Sequence, residues 1–181
     1  MAPGTPAADD DPLLFVYGTL RKSYVQLAST WRASEGRETT FLDPPRVLLE
    51  LGVAHVGIAR LQGFELFDVG SYPGIRRAER AADPAFVVGD VFRIPRGNAA
   101  RVWNQLDAYE ECCESDPQPH EYTRCVVSVQ LDANGMATGS VQHVENAWAY
   151  VYAWDSHACA RIEHGDYILY LEQKALRRLD P

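Results

Sequence analysis

No apolar run in this chain approaches the roughly 20 residues that a membrane-crossing helix needs, so a spanning helix is set aside. Basic residues are scarce too: 17 Lys and Arg face 25 Asp and Glu, a net charge of -8 over 181 residues. No basic stripe with interleaved aromatics interrupts that balance. Phosphate-backbone binding draws its affinity from clustered lysines and arginines, so a nucleic-acid partner is excluded as a reading. Cysteine is sparse, with Cys112, Cys113, Cys125 and Cys159, and neither a CxxC pair nor an HExxH run accompanies them. A zinc centre would have to be assembled from Cys112, Cys113, His120, His157 and Cys159, at spacings that metal sites do not use. A thiol nucleophile paired with His157 or His164 has no recognisable context either. The four are expected to be free thiols, Cys125 a small core residue. The N-terminus lacks the cationic and apolar regions of a signal peptide. Residues 1–12 are small, Pro-containing and acidic, with Asp9, Asp10 and Asp11. They read as a disordered tail ahead of a single domain over 13–181, and a cytoplasmic location is the expectation.

What is present is ordinary in bulk: 46% hydrophobic and 23% charged residues, enough for one domain with a real core. Leu13, Leu14, Phe15 and Val16 read as a buried strand that breaks at Tyr17-Gly18-Thr19. Gly18 permits a sharp turn, and Thr19 can cap a helix starting there. Such a strand–turn–helix gathers backbone N–H groups near a positive helix end, where a carboxylate or an oxyanion fits. The same residues also suit a plain capped strand end. From Leu20 to Ala33 the composition permits a helix, and the stretch from Ser34 to Pro45 reads as a surface loop.

Val53 to Asp68 alternates imperfectly, with Gly57 and Gly63 marking bends or bulges, and reads as one long curved β segment. Gly70 to Gly74 forms a turn, Phe86 to Ile94 a strand containing Gly89, and Asn98 a plausible helix cap. Ala99, Val102, Trp103, Leu106 and Tyr109 recur at helical spacing. Tyr122 to Leu131 is a strand ending in the hairpin-type turn Asp132-Ala133-Asn134-Gly135. Ala147 to Trp154 is a further apolar run, and Asp166 to Leu179 a helix whose Arg177 and Arg178 complement its dipole. The fold class is α+β, without internal repeats.

Five segments in order carry a resemblance: FVYGTLR from Phe15, YPGI from Tyr72, VVGDVFRI from Val87, LDAYE from Leu106, and YTRCVVSV from Tyr122. Together they resemble the γ-glutamylcyclotransferase-like family, which includes γ-glutamylamine cyclotransferases and the plant avirulence-induced-gene-like proteins. The resemblance runs from about Leu13 to Trp154. It implies a small mixed β-barrel with helices packed around it.

It also implies a reaction. The substrate's own α-amino group attacks its γ-carbonyl, closing a lactam and releasing 5-oxoproline with an amine, amino acid or peptide. That chemistry calls for no metal and no cofactor, only a small-molecule γ-glutamyl partner. Glu110 matches the family's catalytic glutamate in LDxYE. Tyr17, Gly18, Thr19 and Leu20 match its substrate loop, and Tyr122 is a candidate pocket wall or donor. Arg124 is expected to pair with a carboxylate, and Tyr72-Pro73-Gly74 to form a turn at the pocket rim. A carboxylate with an ordinary pKa of about 4.3 is a poor base toward an amine. The helix end, Asp107 and the following Glu111, Glu114 and Asp116 are expected to raise it, as is burial. The family usually has Gly after this Glu, where Glu111 stands. Glu35 to Gly52 reads as an insertion able to shape a lid. A non-catalytic metabolite-binding or protein-interaction module on the same fold is the competing reading.

Overall fold

A computed structural model describes residues 11–24, 48, 50–70, 72–79, 85–132 and 142–179, with the backbone alone at 142–145 and 178–179. Strand β1 (Leu13–Val16) closes a five-stranded barrel of order β1-β5-β2-β6-β7. It runs antiparallel to β5 (Phe86–Arg93) and parallel to β7 (Gln142–Tyr152), so the barrel is mixed, as expected of this α+β chain. The side chains of β1 alternate between two cores, as the strand period of two requires. Phe15 and Tyr17 join Ala59, Leu61, Val87, Val91, Val127 and Val129 in one. Leu14, Val16 and Leu20 join the other, with Val102 and Leu106 of helix α1 (Ala99–Tyr109). Those two helical residues stand four apart and are essentially fully buried, so α1 is seated against the barrel wall by its apolar face.

The segment read as one curved strand is two. Strand β2 (Ala54–Gln62) belongs to the barrel, with a bulge between His55 and Gly57. Gly63 then takes a φ of 73° and turns the chain into β3 (Phe64–Asp68). That strand joins β4 (Pro73–Arg77) and β8 (Ala160–Arg161) in a second sheet of three strands. The turn read over Gly70 to Gly74 is therefore shorter: Pro73 and Gly74 already pair with Asp68 and Phe67. Strand β6 (Tyr122–Leu131) pairs with β7 as an antiparallel neighbour. Its expected hairpin turn lies outside the described residues, as do residues 1–10 and most of the presumed helix and lid segment between 25 and 47. Helix α2 (Tyr167–Leu179) follows where the sequence placed it. Asp166 starts it, its Oδ1 accepting the Ile168 N–H at 2.9 Å.

Two capping expectations are corrected. Asn98 stands at the start of α1, but its side chain donates instead to the Leu51 carbonyl at 3.2 Å. Thr19 does not cap the helical turn that begins at Lys22; the Lys22 N–H donates to Asp90 Oδ2 of β5 at 2.8 Å. Asp90 is 2% exposed and lies 3.8 Å from the Nε of Arg21, itself 4% exposed. Arg21 also donates to Asp166 Oδ1 at 2.8 Å, tying the end of the first loop to the start of α2.

Removing one member of a buried charge set leaves the others uncompensated. Asp90→Ala is expected to lower the unfolding free energy by about 3 kcal/mol in urea titration. Asp132→Ala, which breaks the exposed Arg60–Asp132 pair at 3.8 Å, should change it by less than about 1 kcal/mol. Equal effects would show that burial does not set the strength of this contact.

Candidate active site

The turn after β1 is built from residues whose side chains are mostly engaged within the fold. The Tyr17 hydroxyl donates to the Tyr150 carbonyl at 2.8 Å. Burial, then the Glu110 carboxylate, push its pKa well up, so it stays a neutral phenol. Leu20 points into the second core. A Cβ on Gly18 would lie 2.6 Å from Pro73 Cγ, so only glycine lets the turn approach β4 this closely. The Arg21 N–H closes the turn on the Gly18 carbonyl at 3.1 Å. The loop can thus offer a ligand its main chain and Thr19, but little else.

Thr19 makes the contact that joins the two halves of the site. Its Oγ1 lies 3.1 Å from the hydroxyl of Tyr109, the last residue of α1 and the neighbour of Glu110. Glu110 itself caps the helix, its N–H bonding the Leu106 carbonyl at 2.9 Å. The next residue, Glu111, has a φ of 52°, and the Cys112 N–H returns to the Asp107 carbonyl at 2.9 Å. That is a left-handed helix termination, the conformation glycine favours. Glu111 adopts it at a cost of about 1–2 kcal/mol.

Burial pushes the Glu110 carboxyl up to about 8, and the Glu121 carboxylate adds to the effect. The expected contributors are corrected here. Asp107 is engaged elsewhere, accepting the Tyr150 hydroxyl at 2.7 Å and facing Arg124 at 3.2 Å. The acids of the loop that follows are not among the causes; the residue that matters opens the next strand. The Glu110 charge is felt in turn by Tyr17, Tyr109, Cys112 and Tyr122, which identifies the groups around it. Tyr122 is buried and donates its hydroxyl to the Pro73 carbonyl at 2.9 Å, so that hydroxyl is engaged within the fold. Arg124 pairs with Asp107 as expected, and it also lies over the rings of Trp103 and Trp148 at 4.6 and 5.5 Å.

Sequence reasoning overlooked Tyr109 and Glu121. Tyr109 sits inside the LDxYE motif, where helical spacing marks it only as one more apolar position. For Glu121 nothing local distinguishes it from the other acids of its loop. Burial, then the charges of Asp107 and Glu110, push the Cys112 thiol up to about 12, away from the reactive thiolate form.

A family model described as gamma-glutamyl cyclotransferase, AIG2-like, matches residues 14–169. Among solved structures, an AIG2-like protein from Mus musculus shares the fold with a TM-score of 0.55 at 18% identity, over 87% of this chain and 88% of that one. A protein specific to uropathogenic E. coli gives 0.52 at 16% identity, over 89% and 95% of the two chains. YkqA from Bacillus subtilis gives 0.54 at 21% identity, over 91% of this chain but only 42% of its own. No curated protein matches the chain in sequence.

A carboxyl whose pKa moves from 4.5 to about 8 on folding makes the folded state hold a proton that the unfolded chain releases. Its contribution is complete below the unfolded value and is lost as pH rises through the folded one. Glu110→Gln should therefore match the parent in stability at about pH 4 and exceed it at about pH 9. Urea unfolding at the two pH values checks this. A variant that is no more stable at the higher pH would mean that the carboxylate is solvated.

Proposed function

The chain belongs to the γ-glutamyl cyclotransferase, AIG2-like family, and on that premise we propose that it cleaves a γ-glutamyl amide by internal attack, releasing 5-oxoproline and an amine. The observation that carries the reading is the half-buried Glu110 carboxyl, its pKa raised to about 8, at a helix end whose Tyr109 meets Thr19 of the first loop.

The steps follow from that arrangement. Ionised Glu110 takes a proton from the substrate's α-ammonium. The freed nitrogen forms a bond to the γ-carbonyl carbon, and the carbonyl oxygen becomes an oxyanion. Backbone N–H groups of Gly18, Thr19 and Leu20 receive the negative oxygen atoms of the ligand. The bond from carbon to the leaving nitrogen then breaks as Glu110 returns its proton to the departing amine. The carboxylate takes the second proton from the ring nitrogen and passes it to the freed amine, which leaves as an ammonium. A carboxyl at about 8 sits nearer to an amine than a solvated one does, so both transfers are easier. Tyr17 and Tyr122, their hydroxyls already engaged, wall the glutamyl chain into a curl.

Magnitudes apportion the work. A positioned base is worth roughly 10²–10⁴-fold and an oxyanion donor about 3 kcal/mol. Holding amine and carbonyl in contact supplies about 7 kcal/mol or more by the effective-molarity argument. Shape therefore matters at least as much as the proton acceptor.

Incubation with γ-glutamyl amides should yield 5-oxoproline and free amine in equal amounts. Free glutamate instead would mean hydrolysis, and ligand binding without turnover would leave a binding module. The base must be ionised, so kcat/KM is expected to climb with pH and level off above about 8. Glu110→Gln should lower kcat at least roughly 100-fold while remaining folded. Gly18→Ala should raise KM and lower kcat together, because the new methyl displaces the loop from Pro73.

A further inference from the structure

The Thr19–Tyr109 contact joins the two halves of the site in the open, where water competes for both hydroxyls. A second connection runs through β7 and is enclosed. Tyr150, only 3% exposed, is held twice over. Its carbonyl accepts the Tyr17 hydroxyl at 2.8 Å, and its own hydroxyl donates to Asp107 Oδ1 at 2.7 Å. One barrel residue thus touches both the start of the turn after β1 and the helix that leads to Glu110.

Strand register explains how the helix is gripped. Arg124 and Tyr150 are direct partners in the β6–β7 ladder, so their side chains leave the same face of the sheet. They divide one carboxylate between them, Tyr150 taking Oδ1 while Arg124 Nη1 stands 3.2 Å from Oδ2. Contacts at both oxygens fix the orientation of Asp107 as well as its place. The rings of Trp103 and Trp148 flank the guanidinium and hold it there. Asp107 passes the constraint along the chain, its carbonyl accepting the Cys112 N–H at 2.9 Å. Glu110 therefore lies inside a turn closed by Asp107. Burial, then the Asp107 hydrogen bond, push the Tyr150 hydroxyl far up, so it remains a donor while Glu110 titrates. Arg124 keeps its charge over the same range.

An internal attack tolerates little slack. The base must reach the α-ammonium while the turn holds the ligand's negative oxygens, and a misplacement of about 1 Å can cost roughly 100-fold in rate. Resting on the cyclotransferase reading, we propose that Tyr150 and Asp107 are positioning residues, a strut by which β7 sets the separation between the Tyr17–Leu20 turn and Glu110. Both act through other groups: Tyr150 through Asp107, and Asp107 through the helix end.

Tyr150→Phe isolates the strut, because it deletes one hydroxyl and keeps the ring and the carbonyl that holds Tyr17. The assay uses the γ-glutamyl amide that the native protein turns over fastest, drawn from those of alanine, lysine and n-butylamine. In the variant kcat should fall roughly tenfold with KM within about twofold. Its kcat/KM should also level off about one pH unit lower, because burial is the main cause of the raised Glu110 value and a loosened helix end admits water. The groups that share a field with Glu110, namely Tyr17, Tyr109, Cys112, Glu121 and Tyr122, are untouched by the change. Asp107→Asn, which keeps an acceptor for Tyr150, should retain more kcat than Asp107→Ala, and Tyr150→Phe should cost little further in the Asp107→Ala background. Native kcat and pH profile in Tyr150→Phe, or losses that multiply in the double variant, overturn the proposal. Should the native protein release no 5-oxoproline from any of the amides, the cyclotransferase reading fails, and carbon-13 NMR titration of the Glu110 carboxyl judges the strut alone. Its midpoint should then lie about one pH unit lower in Tyr150→Phe; equal midpoints overturn the strut.

Discussion

The turn that follows β1 exists in its present place because a buried guanidinium holds it there. Arg21 lies between Asp90 on β5 and Asp166 at the head of α2, three segments far apart in sequence. Asp90 also takes the Lys22 N–H, so the first donor of the next helical turn is satisfied by the barrel and not by its own loop. Desolvating such a set is costly, and hydrophobic residues would often serve stability as well. What they would not supply is direction. A guanidinium between two carboxylates, with a backbone amide on one of them, admits one register of loop against strand. The close approach of Gly18 to Pro73 depends on that register.

The same logic runs through the other half of the site. Asp107 and Arg124 lie one helical turn before Glu110 and on β6, and they pair with each other under the rings of Trp103 and Trp148. Asp107 is accordingly not among the causes of the Glu110 shift. Glu110 is thus left with burial as the main influence on its proton and Glu121 as the second. A carboxyl held this way destabilises the fold once ionised, and Glu111 adds backbone strain beside it. Both costs are concentrated at one helix end, where strain and perturbed proton affinity tend to mark function.

Elements set by local periodicity were legible: β1, β5, β6 and both helices stand close to where alternation or helical spacing put them. The break at Gly63 was not, because β2 and β3 are both strands and only their assignment to different sheets separates them. Glu110 and the Tyr17–Leu20 turn could be picked out from motif order. Their environment could not. Asp107 is three residues from Glu110 and looked like its electrostatic neighbour, but tertiary contacts with Tyr150 and Arg124 engage it. Thr19 looked like a cap and instead holds Tyr109. In each case the local rule named a feasible partner, and a residue distant in sequence with better geometry displaced it.

The two ends of the candidate site differ in how tightly the fold holds them. Around the Tyr17–Leu20 turn stand main chain and fully engaged phenols, so few substitutions there leave the fold intact. The rim is different in kind. Tyr72 and Trp154 are exposed, and the Glu121 side chain anchors no core element, so changes there cost the fold little. A site divided between an enclosed, over-determined end and an open, lightly constrained one tolerates change at its rim more readily than at its centre. In this chain the open end has come to carry negative charge and aromatic surface together.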